Sequence, residues 1–327
     1  MTELVKNLPA EFDASLLVVL HVAPSSPSIL PQILARSGPL TASHAADGEP
    51  IRKGHIYVAP PDHHLLVEGD RLLVKKGPKE NRFRPSIDAL FRSAAYSYGS
   101  RVVGIILSGM LDDGTSGLWS VKRLGGRVII QDPNDAEFGS MPRSVMEYVD
   151  VDCILPVSKI APELQRLLQE EAPGTEPLQA VEEERFLREI NIAAQNNALD
   201  MGSQNFGKPS LLTCPECSGT LMEVKEGKLI RYRCHTGHAY ASSALLAGVT
   251  KSVEENMWQV VRGLEEAYML LDQSAKQYRE AGNEKDAVKF AAKAAQLRDR
   301  SRNIQKLIAD QEQLSEDLRF TGNGNGH

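Results

Sequence analysis

Between residues 14 and 157 the sequence alternates short runs of β-branched and aliphatic residues with stretches of helical character, and this alternation limits the folds open to it. The runs are SLLVVLH (15–21), HIYVAP (55–60), LLVEGDRLLVKK (65–76), RVVGIILSG (101–109), GRVIIQD (126–132) and DCILPV (152–157). The third turns at Gly69 and Asp70 and reads as a hairpin. Between the runs lie SILPQILARSG, SIDALFRSAAYSYG, TSGLWSVKRLGG and PRSVMEYVD, which read as helices. Strands apolar on both faces need both faces covered, so strands of this kind separated by helices predict a mostly parallel sheet with helices on each side. The expected class is α/β, a doubly wound domain.

Downstream the pattern changes. A helix is expected from Lys159 to Glu171 at the sheet edge, closing a first domain at about residue 170. Residues 171–211 read as an acidic linker that opens on EEAPGTEP and holds a helical stretch at 178–195; NNALDMGSQNFGKPS has too little apolar material to fold by itself. A compact cysteine-bearing module is expected at 212–243. From Ala244 to about Leu318, Leu246, Val249, Val253, Met257, Val260, Leu264, Ala267 and Leu271 recur at spacings of three and four and form one helical stripe. A break at EAGNEKD and a second stripe through Phe290, Ala294, Leu297, Ile304 and Ile308 predict an antiparallel helical hairpin at 244–318, its stripe a core or a dimer seam. Residues 319–327 read as a disordered tail.

Charge bears on partners. Of the formal −6, the segment Glu163 to Glu189 supplies −5, with eight Glu against three Arg. The rest is nearly neutral and offers no basic stripe to neutralise phosphates, which argues against nucleic acid as the main partner. No apolar run approaches the ~20 residues that span a bilayer. The N-terminus lacks the basic segment and apolar stretch of a secretory signal, so a cytoplasmic location is expected. A nucleotide-binding reading is weak, because no Gly-rich phosphate loop follows a strand.

In open parallel sheets the reactive crevice lies beyond the carboxyl ends of the strands. His21 closes the first run, APPDHH follows the second, SGMLDDGTSG follows RVVGIIL, and QDPNDAEFGSMP follows the next. In LSGMLDDGTSG the glycines permit tight turns that point amides outward, with two adjacent Asp among them. Asp112 reads as a turn or helix cap. Asp113 reads either the same way or as the carboxylate that orients His21, fixing its tautomer and stabilising the imidazolium. His63 and His64 read as loop residues near the crevice mouth. Cys153, alone in VDCILPV, reads as a core residue.

Taken in order, VVLHVAPSSPSILPQIL, GHIYVAPPDHHLLV, NRFRPSIDALFRSAA, GIILSGMLDDGTSGL and QDPNDAEFGSMPRSV resemble the CheB-type catalytic domain of chemotaxis protein-glutamate methylesterases, over residues 1 to about 170. The resemblance implies a Ser, His, Asp triad on a doubly wound sheet. It implies hydrolysis of glutamyl methyl esters on the cytoplasmic helices of chemoreceptors, and in some members deamidation of glutamines there. On this chain it implies His21 as the base, Asp113 as its orienting carboxylate and the Met110 amide as part of an oxyanion hole. The family's serine sits in a Gly-x-Ser-x-Gly-Gly turn after an initial strand, followed by a helix leading into something like LTELVKNLP. Here that strand and turn have no counterpart and Met1 falls inside the following helix. Ser25, Ser26 and Ser28 lie in a Pro-rich loop after the His21 run, the wrong context. The sheet is therefore expected to lack its first strand. Either the serine lies upstream of Met1, or the chain is a shortened, inactive relative. Chemotaxis phosphorelay signalling is the implied setting, although nothing here resembles the receiver domain that often precedes this one.

In TCPECSGTLMEVKEGKLIRYRCHTGHAY, Cys214 and Cys217 form a C-x₂-C pair and Cys234 follows after sixteen residues, with His235 and His238 close behind. Two ligands on a tight turn facing a second set across a hairpin match the tetrahedral thiolate and imidazole cage that zinc prefers. The expected ligands are Cys214, Cys217, Cys234 and His238, with His235 in reserve. Four protein ligands leave no open position, so this zinc is expected to be structural and catalysis to need no cofactor. The leading expectation is a methylesterase acting on methylated chemoreceptors. The alternative is a non-catalytic adaptor whose ribbon and helices recruit another component.

Overall fold

Six parallel strands form two sheets of three. In the first, β1 (Leu16–Val18) pairs with β3 (His55–Val58), which pairs with β2 (Thr41–His44). In the second, β6 (Val103–Ile106), β7 (Arg127–Gln131) and β8 (Cys153–Leu155) lie in that order. The computed structural model describes residues 1–25, 27–174, 177–194 and 207–310, and among these no ladder joins β1 to β6. Side chains connect the sheets instead. Leu16 and Val18 of β1, and Val103 and Ile105 of β6, pack on one cluster with Leu4, Val5, Leu34, Ile56, Ile129 and Ile160. The sequence predicted one sheet; the structure divides it, leaving β1 and β6 as terminal strands.

Helices cover both faces, as strands without a polar face require: α1 (Thr2–Lys6), α2 (Leu30–Ser37), α3 (Ile87–Tyr98), α4 (Thr115–Arg123), α5 (Ser140–Tyr148) and α6 (Val157–Leu167). Leu118, Val121, Val128, Ile130 and Val145 form the second core, under α4 and α5. Gly117 lets α4 lie against α3, since a Cβ there would sit 2.9 Å from the Cα of Asp88. The hairpin of β4 (His64–Glu68) and β5 (Arg71–Lys75) turns at Gly69, whose φ is +58°. Two local readings need correction. TASH forms β2, which its polar residues hid, and β1 stops at Val18, where its pairing with Val58 ends, so His21 stands on the chain beyond the strand.

The described residues up to Leu245 form one compact unit, and those from Leu246 another. Within the first, the acidic stretch forms α7 (Ala180–Ala194), which buries Phe186, Ile192 and Ala193. The antiparallel ribbon follows: β9 (Lys208–Thr213), β10 (Thr220–Glu226), β11 (Leu229–Cys234) and β12 (Ala239–Ala241), in the order β12, β11, β10, β9.

A buried ion cluster binds these parts together. Arg92 of α3, Glu80 ahead of it, Glu189 of α7, Glu226 of β10, and Arg231 and Arg233 of β11 are each at most 2% exposed. Glu189 reaches Arg231 at 2.9 Å, Arg233 at 3.0 Å and Arg92 at 3.3 Å; Glu80 reaches Arg233 at 2.7 Å and Arg92 at 3.2 Å. Three guanidiniums face three carboxylates. Burial pushes Glu80 and Glu189 upward, but the surrounding guanidiniums outweigh it and hold both below the usual carboxylate range.

In the second unit, the body of α8 (Ser242–Glu280) and α9 (Glu284–Ala309) form an antiparallel hairpin turning at Gly282. Tyr278 packs on Phe290, Arg298 lies over Tyr268, and Glu265 accepts from Ser301 and Gln305. The buried seam runs through Val261, Ala275, Ala287 and Ala294. Val249, Val253 and Val260 of the expected stripe are exposed instead. In this register α9 ends at Ala309, short of Val249 and Val253. Among the described residues no helix is long and apolar enough to cross a membrane. The residues read as a tail, 319–327, lie outside the described residues, as does most of NNALDMGSQNFGKPS.

Candidate active site and cysteine cluster

His21 and Asp113, ninety-odd residues apart in sequence, meet at one rim of the sheets: Nε2 of His21 lies 3.0 Å from Oδ2 of Asp113. The N–H is not well aligned on that oxygen, so this is a close charge contact more than a directed hydrogen bond. The other ring nitrogen, Nδ1, faces the Pro85 carbonyl at 3.1 Å, and the ring stacks on Phe83 with centroids 3.9 Å apart. A neutral imidazole can donate to one of these two oxygens; an imidazolium can donate to both.

Asp113 is 2% exposed and richly bonded. It accepts from Asn81 Nδ2 (2.8 Å), the Ser86 hydroxyl (2.9 Å) and the amides of Ile87 (2.8 Å) and Asp88 (3.3 Å) at the start of α3. Burial alone would raise Asp113, but His21, the Ile87 amide and Asn81 outweigh it and hold the carboxyl below its ordinary value. Asp88 goes the other way. Burial first, and then repulsion by Asp113, push it up to about 8, against the Gly117 amide that bonds it at 2.6 Å. These oppositely shifted neighbours are one feature of sites that move protons.

Asp112 is a cap, as its sequence context suggested, but of a distant helix. Its carboxylate accepts from the amide of Ser243 at 3.2 Å and from the Ser243 hydroxyl, at the start of α8. Burial pushes Asp112 up to about 6, against those two bonds. In the same loop, Leu111 has φ +63°, and Met110 is half exposed with an amide that makes no hydrogen bond among the described residues. An amide with no acceptor among the described residues can receive an oxyanion.

His63 and His64 part company. His64 is fully buried, facing the Pro78 carbonyl through Nε2 at 2.8 Å and accepting from the Ser86 amide through Nδ1 at 3.2 Å, and burial lowers its pKa. It is a neutral prop under the loop that carries Ser86, not a residue at a crevice mouth. His63 faces the Pro61 carbonyl at 2.9 Å. Cys153 is only partly buried, with Sγ 3.5 Å from Glu163. Among the described residues, no serine hydroxyl bonds a ring nitrogen of His21. Ser26, one of the three serines in the following loop, lies outside the described residues.

The cysteine cluster is also assembled. The ligand atoms of Cys214, Cys217, Cys234 and His238 lie within 4.8 Å of one another. Cys217 and Cys234 sulfurs are 3.6 Å apart, and His238 Nδ1 is 3.7 Å from Cys214 and 3.6 Å from Cys234. A zinc ion at about 2.3 Å from sulfur and about 2.0 to 2.1 Å from nitrogen, at tetrahedral angles, sets its ligands about 3.5 to 3.8 Å apart. The donor set and spacing fit a metal. His235 stands outside this group, exposed, its ring against Gly219.

Sequence reasoning missed Asn81, Ser86 and Phe83 around the pair, although NRFRPSID contains all three. Two of them, Asn81 and Ser86, are polar and buried, and burial was not visible in the sequence.

Comparison with known proteins bears on the first half of the chain. The family model of the CheB methylesterases matches residues 1–164. A putative protein-glutamate methylesterase/protein-glutamine glutaminase of Leptospira interrogans is 38% identical over 170 residues, 52% of this chain and 88% of that protein. The protein-glutamate methylesterase/protein-glutamine glutaminase of Thermotoga maritima is 36% identical over 169 residues, 50% of this chain and 49% of that one. The crystal structure of the Thermotoga maritima CheB methylesterase catalytic domain superposes with a TM-score of 0.49 at 36% identity, covering 51% of this chain and 90% of that one. With the family model spanning half its length, and a relative matched over most of that relative's own length, this chain belongs to the CheB methylesterase family.

Proposed function

We propose that the first unit carries the hydrolytic machinery of a protein-glutamate methylesterase acting on methylated chemoreceptor helices in the cytoplasm, and on glutamines there as a deamidase. The observation that carries this reading is the contact of His21 with a buried, multiply bonded Asp113, in the loop that also carries Met110. In the reaction, a serine hydroxyl attacks the ester carbonyl while His21 takes its proton at Nδ1, leaving an imidazolium met by Asp113 on one side and the Pro85 carbonyl on the other. The Met110 amide receives the oxyanion. His21 returns the proton to the departing methanol, and water, activated by the same ring, releases the glutamate. Asp113 orients the ring and balances its charge throughout.

The serine is the part that the described residues do not bring to His21, and the edges of β1 and β6, unpaired among those residues, offer a place for a strand that would. The same observation favours a second reading, a non-catalytic adaptor that binds receptor helices. Methanol release from a methylated receptor fragment separates them. A protein in which no serine reaches His21 is expected to release none, whereas one that presents a strand and a Gly-x-Ser-x-Gly-Gly turn there releases methanol. A folded, extended protein that binds receptor and releases no methanol supports the adaptor and overturns the esterase.

For Cys214, Cys217, Cys234 and His238 we propose a structural zinc, supported by the donor set and by three donor pairs at 3.6 to 3.7 Å. The metal would close the ribbon and take no part in hydrolysis. The exposed apolar residues of α8 are proposed as a dimer seam.

A further inference from the structure

Asn81 stands between the cysteine ribbon and the His21–Asp113 pair, and each polar atom of its side chain is engaged. It is 2% exposed. Its Oδ1 accepts from the amide of Ala241 on β12 at 2.8 Å; its Nδ2 donates to Asp113 Oδ1 and to Asp88 Oδ2, each at 2.8 Å. Its own amide donates to the Ala239 carbonyl at 2.7 Å. The amide cannot be turned over, because Ala241 needs an acceptor and the carboxylates need donors. The backbone adopts φ +50°, a region Asn enters more readily than most residues.

The neighbours of Asn81 tie to the same ribbon. The Lys79 carbonyl accepts from the Ala239 amide at 3.3 Å, the Lys79 ammonium meets Glu216 at 3.1 Å, and Glu80 meets Arg233 at 2.7 Å. Asp112, next to Asp113, is bonded by Ser243. The short stretch from Ala239 to Ser243 therefore grips the site from two sides, once through Asn81 and once through Asp112. A ribbon serving only as a tethered docking module would not need bonds that reach Asp113 through one side chain.

We infer that Asn81 is a positioning residue that couples the His21–Asp113 pair to the cysteine ribbon, so that the integrity of the ribbon sets how Asp113 is held. The physical link is the sharing of Nδ2 between two carboxylates. Asp113 is faced by His21, Asn81, Ser86, the amides of Ile87 and Asp88, and the carboxyls of Asp88 and Asp112. Withdraw Asn81, and the Asp113 carboxylate loses a donor that favours its charged form, so its titration moves upward; Asp88, which already holds a proton at neutral pH, loses a donor as well. β12 controls this because the Ala241 amide fixes Oδ1 and with it the direction of Nδ2.

The inference rests on reading His21 and Asp113 as the catalytic pair, but its test reads carboxyl groups without turnover, so the two can fail separately. In the full chain, carbon-13 NMR follows the Asp113 side-chain carboxyl through a pH titration. Asn81→Ala is expected to move that titration upward by about one unit or more. The double variant Ala239→Gly with Ala241→Gly loosens β12 and leaves Asn81 and all four cysteine-cluster ligands in place. It is expected to move Asp113 the same way, and combining it with Asn81→Ala gives less than the sum. The Asp152 carboxyl, bonded by Lys122 and the Val128 amide, stays put. If Asn81→Ala does not fold, Asn81→Ser, with a shorter arm, takes its place. The inference is overturned if Asp113 moves by less than about 0.3 units in the glycine variant while β12 amides exchange faster, or if the shifts simply add.

Discussion

Removing Glu189 tests whether, within the first unit, α7 and the ribbon are welded to the α/β part that carries Arg92 or merely adjacent to it. Its carboxylate meets three guanidiniums, at 2.9, 3.0 and 3.3 Å, in a cluster where nothing is more than 2% exposed. Glu189→Ala leaves Arg92, Arg231 and Arg233 facing only Glu80 and Glu226, a buried excess of one positive charge. Breaking a buried pair in this way costs about 3 to 5 kcal/mol. With a urea m-value of roughly 3 kcal/mol/M for a unit of this size, the midpoint falls by about 1 to 1.7 M. Trp119 reports on the same interface, since it stacks with Phe186 of α7 at 6.4 Å; the other tryptophan, Trp258, is changed to Phe to leave one reporter. Glu184→Ala is the control, on the same helix with the same charge change. Its ion pair with Arg188 is exposed and stabilises by about 0.5 kcal/mol at most. The reasoning fails if Glu189→Ala costs less than about 1 kcal/mol, or no more than Glu184→Ala.

Asp88, held up to about 8 by burial and by Asp113, binds a proton in the folded unit that it has lost in the unfolded chain at neutral pH. Its folded value is raised, so its contribution to stability is present below about pH 4 and is lost as pH rises through about 8. Urea midpoints at about pH 5 and about pH 9 are therefore expected to show wild type losing ground to Asp88→Asn at the higher pH; parallel curves would contradict the assignment. Native mass spectrometry is expected to find one zinc per chain, absent from Cys214→Ser and retained by His235→Ala; loss in both variants would return His235 to the ligand set. Ser243→Ala removes a donor that opposes the rise of Asp112, so that carboxyl, now at about 6, is expected to titrate higher by carbon-13 NMR.

Much of this was legible because it is written in local pattern. Both-faced apolar runs gave five of the six parallel strands, Gly69 and Asp70 gave the hairpin, and the C-x₂-C pair with Cys234 and His238 behind it gave the four cluster residues. The meeting of His21 with Asp113 was legible because both follow strands at the same rim. What escaped depends on pairing between distant segments. Glu189 read as one charge among many in an acidic linker, yet Phe186, Glu189 and Ala193 share a helical face, and it is that face which is buried. Asn81 gave no local signal, since its role comes from Ala241, 160 residues away. β2 was hidden by its polar residues, and periodicity alone does not report which side of the α8 stripe α9 covers.

The account stands most squarely on the pairing of His21 with Asp113 as a working base. Methanol release by the serine-extended protein, measured for the parent and for Asp113→Asn with His21 retained, tests it directly. A carboxylate that orients the ring predicts a drop of about 10⁴ in turnover with receptor binding kept, by analogy with the loss of the orienting carboxylate in serine proteases. An Asp113→Asn protein that folds, binds receptor and releases methanol within a few-fold of the parent would contradict it.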